Sequence, residues 1–291
     1  VYSVTWPTAN AAPPATLPNV SPTEMAAYRM GLYFTSESNV VNLVAGQNEA
    51  LGISVEQAAH FKKLFGERYH LIETDPVFQE APSALSYCFS ASTPTQGRAV
   101  VYSPKKFDAH LAPLVFLHGY GGSFLWTEQL LAEYFPDRLI ICPAFGISCS
   151  LMPKDYLSEC LKAVERKVAH PIRPPILIGL SSGGFGATRI FTKSPNQFSR
   201  LIVLASYPPQ ETLTHFDKTM SVRFMVGAKE DYVQSGAFQQ YMRAIQPRPA
   251  DLEVQTIAGA DHFFLLERRE EAMKILRRWI DGPAVKSGAK R

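Results

Sequence analysis

No apolar run in this chain approaches the roughly 18 residues that a membrane-spanning helix needs. The longest candidates, such as LAPLVFL at 111–117, have the length of a buried strand, so no membrane span is expected. Charge of one sign is scarce too. The 291 residues carry a formal net charge of only +3, with Lys and Arg scattered. Without a basic stripe a nucleic-acid partner is not expected, and Lys286, Lys290 and Arg291 read as a solvated tail. Cysteine is sparse, with Cys88, Cys142, Cys149 and Cys160 forming no C-x-x-C and no zinc-like Cys/His spacing. A small disulfide loop between Cys142 and Cys149 stays open beside the simpler reading of buried thiols. No internal repeat or low-complexity block is present, which excludes a solenoid. The first residue is Val1 and not Met, so a preceding segment is expected to have been removed.

What is present is an ordinary globular composition, 46% hydrophobic and 19% charged, at a length that fits one large α/β domain. Residues 1–20 carry four prolines and read as an extended arm. Helix-start signals follow at Ser21-Pro22-Thr23-Glu24 and Ser54-Val55-Glu56-Gln57, the second leading into a stripe of Ala58, Phe61, Phe65 and Tyr69. Residues 1–82 are therefore expected to form an arm and a helical extension. It either covers a site or packs on the outside of the domain. From 83 to 283 the texture changes: SALSYCFS and RAVVYS read as an antiparallel start. Then LVFL, LIIC, ILIGL, LIVLA, VRFMV and LEVQTI alternate with helical stretches at 156–169, 234–245 and 264–280. Short continuous apolar strands separated by helices imply a mainly parallel central sheet with helices on both faces. Residues 284–291 are expected to be a flexible tail.

Residues 176–186, ILIGLSSGGFG, place two serines where an apolar strand ends. A serine hydroxyl becomes a nucleophile only with a base to take its proton and donors for the oxyanion. A sharp strand-to-helix turn exposes it, and that turn crowds the backbone two residues before and two after, giving G-x-S-x-G. Ser181 has Gly179 and Gly183 at those places, whereas Ser182 would have Leu180. Ser181 is the candidate nucleophile, and the N–H of Ser182 can face an oxyanion hole.

LVFLHGYGGS puts His118-Gly119-Tyr120-Gly121-Gly122 at the end of another apolar strand, with the N–H of Tyr120 as second oxyanion donor. His118 itself reads as a structural histidine under that loop. The base is expected after the last strand, where IAGADHFFL supplies His262. The acid is expected after the preceding strand, where MVGAKEDYV offers adjacent Glu230 and Asp231. Asp is the commoner acid, and Asp231 is preferred. Glu230 stays open because it lies three residues after Gly227. Asp261 reads as a turn residue. Tyr120 and Trp126 are aromatics that line a pocket or pack the loops.

HGYGGS, GLSSGGFGA, GAKEDYV and GADH, in that order, resemble the oxyanion loop, nucleophile elbow, acid loop and histidine loop of the α/β-hydrolases. The resemblance covers about residues 83–281. It implies an α/β-hydrolase fold and a serine hydrolase of carboxylic esters working through an acyl-enzyme. Ser181, His262 and Asp231 (or Glu230) would form the triad, and the Tyr120 and Ser182 N–H groups the oxyanion hole. It implies no cofactor and no metal, and an ester, small or polymeric, as the partner. The same residues could serve a peptidase or acyltransferase, and the fold could also serve as a non-catalytic binding module.

Overall fold

A computed structural model describes residues 1–8, 36–39, 54–83, 85, 96–119, 125–146, 149–153 and 155–282. The capping signal at Ser21, most of the segment SALSYCFS, Cys88 and Tyr120 lie outside them. The chain divides into two compact units. The first gathers Val1–Ser103, Gly121–Phe135 and Cys142–Ala169; the second gathers Pro104–Tyr120, Pro136–Ile141 and His170–Arg291.

In the first unit the arm reading of residues 1–20 is corrected in part. Tyr2–Pro7 is a strand, β1, paired antiparallel with β2, Gln96–Tyr102, from Tyr2 opposite Val101 to Pro7 opposite Gln96. Apolar Val4 and Trp6 alternate with exposed neighbours, the period of a half-buried strand. Trp6 is buried and meets Tyr156 edge-on at 4.9 Å between ring centres. Gly97 makes room for it, since a Cβ there would overlap the indole. Tyr156 opens helix α3, Tyr156–Val168, and its hydroxyl donates to the Ala144 carbonyl and accepts from the Arg98 N–H at 3.2 Å.

Helix α1, Val55–Thr74, begins with the capping box the sequence announces: Ser54 Oγ accepts from the Gln57 N–H and Gln57 Oε1 from the Ser54 N–H. Its stripe of Ala58, Phe61, Phe65 and Tyr69 is buried. Phe65 stands perpendicular to Trp126 of α2, Leu125–Tyr134, at 5.6 Å, and Arg68 Nη1 donates to Glu133 Oε2 at 2.8 Å. Trp126 is buried by this packing. Glu37 Oε2 accepts from the Tyr69 hydroxyl at 2.9 Å and the Leu125 N–H at 3.1 Å.

The second unit holds parallel strands in the order β4-β3-β5-β6-β7-β8. They are β3 Leu114–Leu117, β4 Ile140–Ala144 (which ends in the first unit), β5 Ile176–Leu180, β6 Arg200–Leu204, β7 Ser221–Gly227 and β8 Asp251–Ile257. Every residue of β3, β5, β6 and β7 is buried, as expected for strands covered on both faces. Helices α4 Ser182–Lys193, α5 Asp231–Gln234, α6 Ala237–Ala244, α7 Phe264–Glu267 and α8 Arg269–Asp281 follow β5, β7 and β8. The single helix expected over 264–280 is two, broken at Arg268. With β1 and β2 antiparallel and the strands from β4 to β8 parallel, the eight strands are mixed and mostly parallel. Cys142 and Cys149 are not joined to each other. No helix of the described residues is long and apolar enough to cross a membrane.

Candidate active site

All the candidate catalytic groups that the structure describes belong to the second unit and follow the carboxyl ends of β3, β5, β7 and β8. Ser181 joins β5 to α4 with φ 54° and ψ −122°, a conformation that side chains rarely adopt and that costs about 1–3 kcal/mol. Surrounding bonds hold it there: its N–H donates to the Leu204 carbonyl at 2.9 Å, and its carbonyl accepts from the Gly184 N–H at 2.8 Å. The glycines on either side are steric requirements. A Cβ on Gly179 would strike the Gly183 carbonyl and come within 2.8 Å of the Ala187 methyl, and one on Gly183 would strike the carbonyl oxygens of Leu117 and His118. The crowding expected two residues before and two after Ser181 is therefore present. Ser182 opens α4, and its shielded Oγ has no hydrogen-bond partner among the described residues.

Gly119 brings the loop after β3 against the elbow; a Cβ there would lie 3.3 Å from Ser181 Cβ. His118 is fully buried, and its Nδ1 sits 2.8 Å from the Gly119 carbonyl. Burial pulls its pKa down to about 4, so the imidazole is neutral near pH 7 and carries its proton on Nδ1, facing that carbonyl. It shapes the loop, the structural role that its place in the sequence implies. Tyr120, the expected second oxyanion donor, lies outside the described residues.

The carboxylate that meets His262 is that of Glu230, the alternative left open beside Asp231. His262 Nδ1 faces Glu230 Oε2 at 2.8 Å, and Glu230 Oε1 accepts from the Gly227 N–H at 3.0 Å. Glu230 is buried, whereas Asp231 is exposed. The reason is local: Glu230 precedes α5 in an extended conformation, φ −66° and ψ 134°, while Asp231 is the first residue of the helix. Adjacent residues across that change of backbone project in different directions. The loops after β7 and β8 are fastened together, with Ala228 N–H on the Ile257 carbonyl at 3.0 Å and Lys229 N–H on the Ala260 carbonyl at 2.8 Å. Gly227 permits this approach, since a Cβ there would strike the carbonyls of Ala260 and Asp261. Asp261 Oδ1 accepts from the Phe263 N–H at 2.9 Å, the turn role expected of it.

Tyr232, which no motif in the sequence singles out, stands behind the acid. Its hydroxyl is shielded from solvent, and its ring lies 5.1 Å from Tyr207. Burial first, and the Glu230 carboxylate second, push its pKa upward, so it remains a neutral phenol.

No family model matches the chain. A stretch of 98 residues is 35% identical to the pimeloyl-acyl-carrier-protein methyl ester esterase of Wigglesworthia glossinidia brevipalpis, covering 33% of this chain and 36% of that protein. The enzyme of the same name from Vibrio campbellii is 30% identical over 98 residues, 33% of this chain and 37% of that protein. The chain thus spans little more than a third of the length of these relatives. A solved Bacillus subtilis structure, assigned as a candidate hydrolase, superimposes with a TM-score of 0.52 at 13% identity, over 75% of this chain and 97% of that one. The chain has the α/β-hydrolase fold. Within that fold the Ser181 turn, the Glu230 loop and the His262 loop follow the chain order of nucleophile, acid and histidine.

Proposed function

We propose that the protein is a serine esterase in which Ser181 attacks an acyl carbon and forms an acyl-enzyme that water then hydrolyses. The observation that carries this reading is the pair of His262 Nδ1 and buried Glu230 at 2.8 Å, in a chain whose Ser181 is held at φ 54° on a strand-to-helix turn. Glu230 accepts the Nδ1–H of His262 and so leaves Nε2 as the atom that takes the Ser181 proton. As Ser181 Oγ bonds to the carbonyl carbon, the proton passes to Nε2, and the carboxylate steadies the imidazolium. His262 returns that proton to the leaving alkoxide, then activates the water of the second half-reaction. In this reading the Ser182 N–H at the start of α4 holds the oxyanion, with the Tyr120 N–H as its companion. The names of the matched relatives support an ester as the bond cleaved.

The test is mass-spectrometric mapping of a fluorophosphonate adduct with a heat-unfolded control, together with Ser181→Ala assayed on 4-nitrophenyl esters. A single adduct on Ser181 that disappears on unfolding, and an inactive Ser181→Ala that keeps its melting temperature, are expected. Full residual activity in Ser181→Ala sinks the reading.

A further inference from the structure

At the other end of the parallel strands, a cavity of about 620 Å³ opens among the first residues of β5, β6 and β7, which are Ile176, Arg200 and Ser221. It lies wholly in the second unit. Five strand residues at roughly 3.3 Å each separate it from the turn that carries Ser181, about 16 Å along β5. The reaction proposed above makes no use of it.

Its lining is of two kinds. Phe198, Met220 and Ile176 are buried apolar side chains that form part of the wall. Arg138, Arg173 and Arg200 bring three guanidinium groups to the same space, and no carboxylate side chain belongs to the described lining. Arg138 is buried and fixed, Nη1 on the Ala112 carbonyl at 2.8 Å and Nη2 on Asp281 Oδ1 at 2.9 Å. Arg200 is buried too, with Nε donating to Ser221 Oγ at 2.9 Å. Arg173 is exposed, is tethered by Nη1 to the His110 carbonyl at 2.7 Å, and meets no carboxylate among the described residues. Prolines at 171, 174 and 175 restrict the backbone that presents it. A guanidinium has five N–H donors, so each tether of Arg138 and Arg173 leaves donors for a planar oxyanion.

The structure assigns this cavity as a binding site for a small anionic amphiphile, a molecule with a carboxylate or phosphate-ester head against the arginines and a short apolar body along Phe198, Met220 and Ile176. Charge complementarity selects the head and the apolar wall selects the body, and the volume is that of a small-molecule site. Burial and then the neighbouring Arg223 press on the charge of Arg200, Asp251 and Glu253 offset them in part, and a bound anion adds to that offset.

Titration calorimetry of the full chain with octanoate, octyl phosphate, octanol and inorganic phosphate reads the head and the body separately. The ε-methyl carbon signal of Met220, assigned through Met220→Leu, reports whether the event occurs in this cavity. Expected are saturable binding of octanoate or octyl phosphate with a shift of that signal, and at least about tenfold weaker binding of octanol and of phosphate alone. Arg173→Glu weakens the tighter probe about tenfold or more, while Arg243→Glu, an exposed charge reversal on α6, leaves it within twofold. The stronger of the two anionic probes names the head. Failure of both anionic probes to bind, octanol or phosphate binding as tightly, a silent Met220 signal, or equal losses in the two arginine variants each overturns the assignment. Esterase activity enters none of these readouts, so the site stands or falls apart from the catalytic reading.

Discussion

Glu230 holds His262 by one carboxylate oxygen at 2.8 Å and the Gly227 N–H by the other at 3.0 Å, so both oxygens are committed before any substrate arrives. The acid is thereby oriented by the backbone of its own strand end. Asp231, one residue on, is exposed and takes no part in this bonding.

Replacing Glu230 with Gln is expected to lower kcat on a 4-nitrophenyl ester by roughly three to four orders of magnitude, the scale seen when a triad acid becomes an amide. The amide nitrogen can donate to Nδ1 and favour the wrong tautomer. Asp231→Asn is expected to stay within about twofold of the parent. The comparison is decisive because the two residues are adjacent: a large loss in the Asp231 variant with a mild one in the Glu230 variant would reverse the assignment.

These two residues also mark the limit of what the sequence makes legible. Gly179 and Gly183 single out Ser181 over Ser182 because the steric demand of the turn acts within five residues. The position of His262 after the last strand is likewise a matter of order. Which of two neighbouring carboxylates turns inward depends on where α5 begins, and that is fixed by hydrogen bonds to the loop after β8, some thirty residues away. The spacing of Glu230 from Gly227 carries the signal, since a side chain three residues on can reach back to that N–H.

Gly183 and Gly66 make a matched pair for testing the turn. A Cβ on Gly183 would strike the Leu117 and His118 carbonyls, which are backbone and cannot rotate away. Gly183→Ala is expected to destabilise the protein by about 1–3 kcal/mol and to abolish phosphonate labelling of Ser181. Gly66 lies inside α1 with nothing within 4 Å of where a methyl group would stand, so Gly66→Ala is expected to stabilise by about 0.5–1 kcal/mol. Thermal unfolding measures both. A Gly183→Ala protein with parental melting temperature and labelling would contradict the packing described.

The first strand of the chain is the part of the fold that the sequence conceals. LVFL, ILIGL and VRFMV announce themselves as continuous apolar runs, whereas Tyr2–Pro7 is a short alternation near several prolines, and its partner β2 begins at Gln96, far along the chain. The alternation of Tyr2, Val4 and Trp6 is the only local clue. Trp6→Ala removes the buried ring that fills the space over Gly97 and against Tyr156. The expected cost is about 3–5 kcal/mol, read as a lower urea midpoint. A variant with the parental midpoint would mean that β1 is peripheral to stability.

The pH dependence of stability should carry the mark of Glu128. This residue of α2 is fully buried, and burial first and the Glu37 charge second raise its pKa from 4.5 to about 8. Below about pH 4.5 the carboxyl is neutral in both folded and unfolded chains, and its burial carries no ionisation penalty. Between there and about pH 8 the unfolded chain ionises while the folded one resists, so stability is lost as pH rises; above that window both forms are ionised and the slope ends. Glu128→Gln keeps the shape and removes the titration. Its urea midpoint should therefore gain steadily on that of the parent as pH rises through that window. Glu37→Gln should move the window to lower pH, because one of the two causes is gone. Parallel midpoints of parent and Glu128→Gln across the whole range would show that Glu128 is ionised in the folded protein from the start, and the burial argument for this carboxyl would fail.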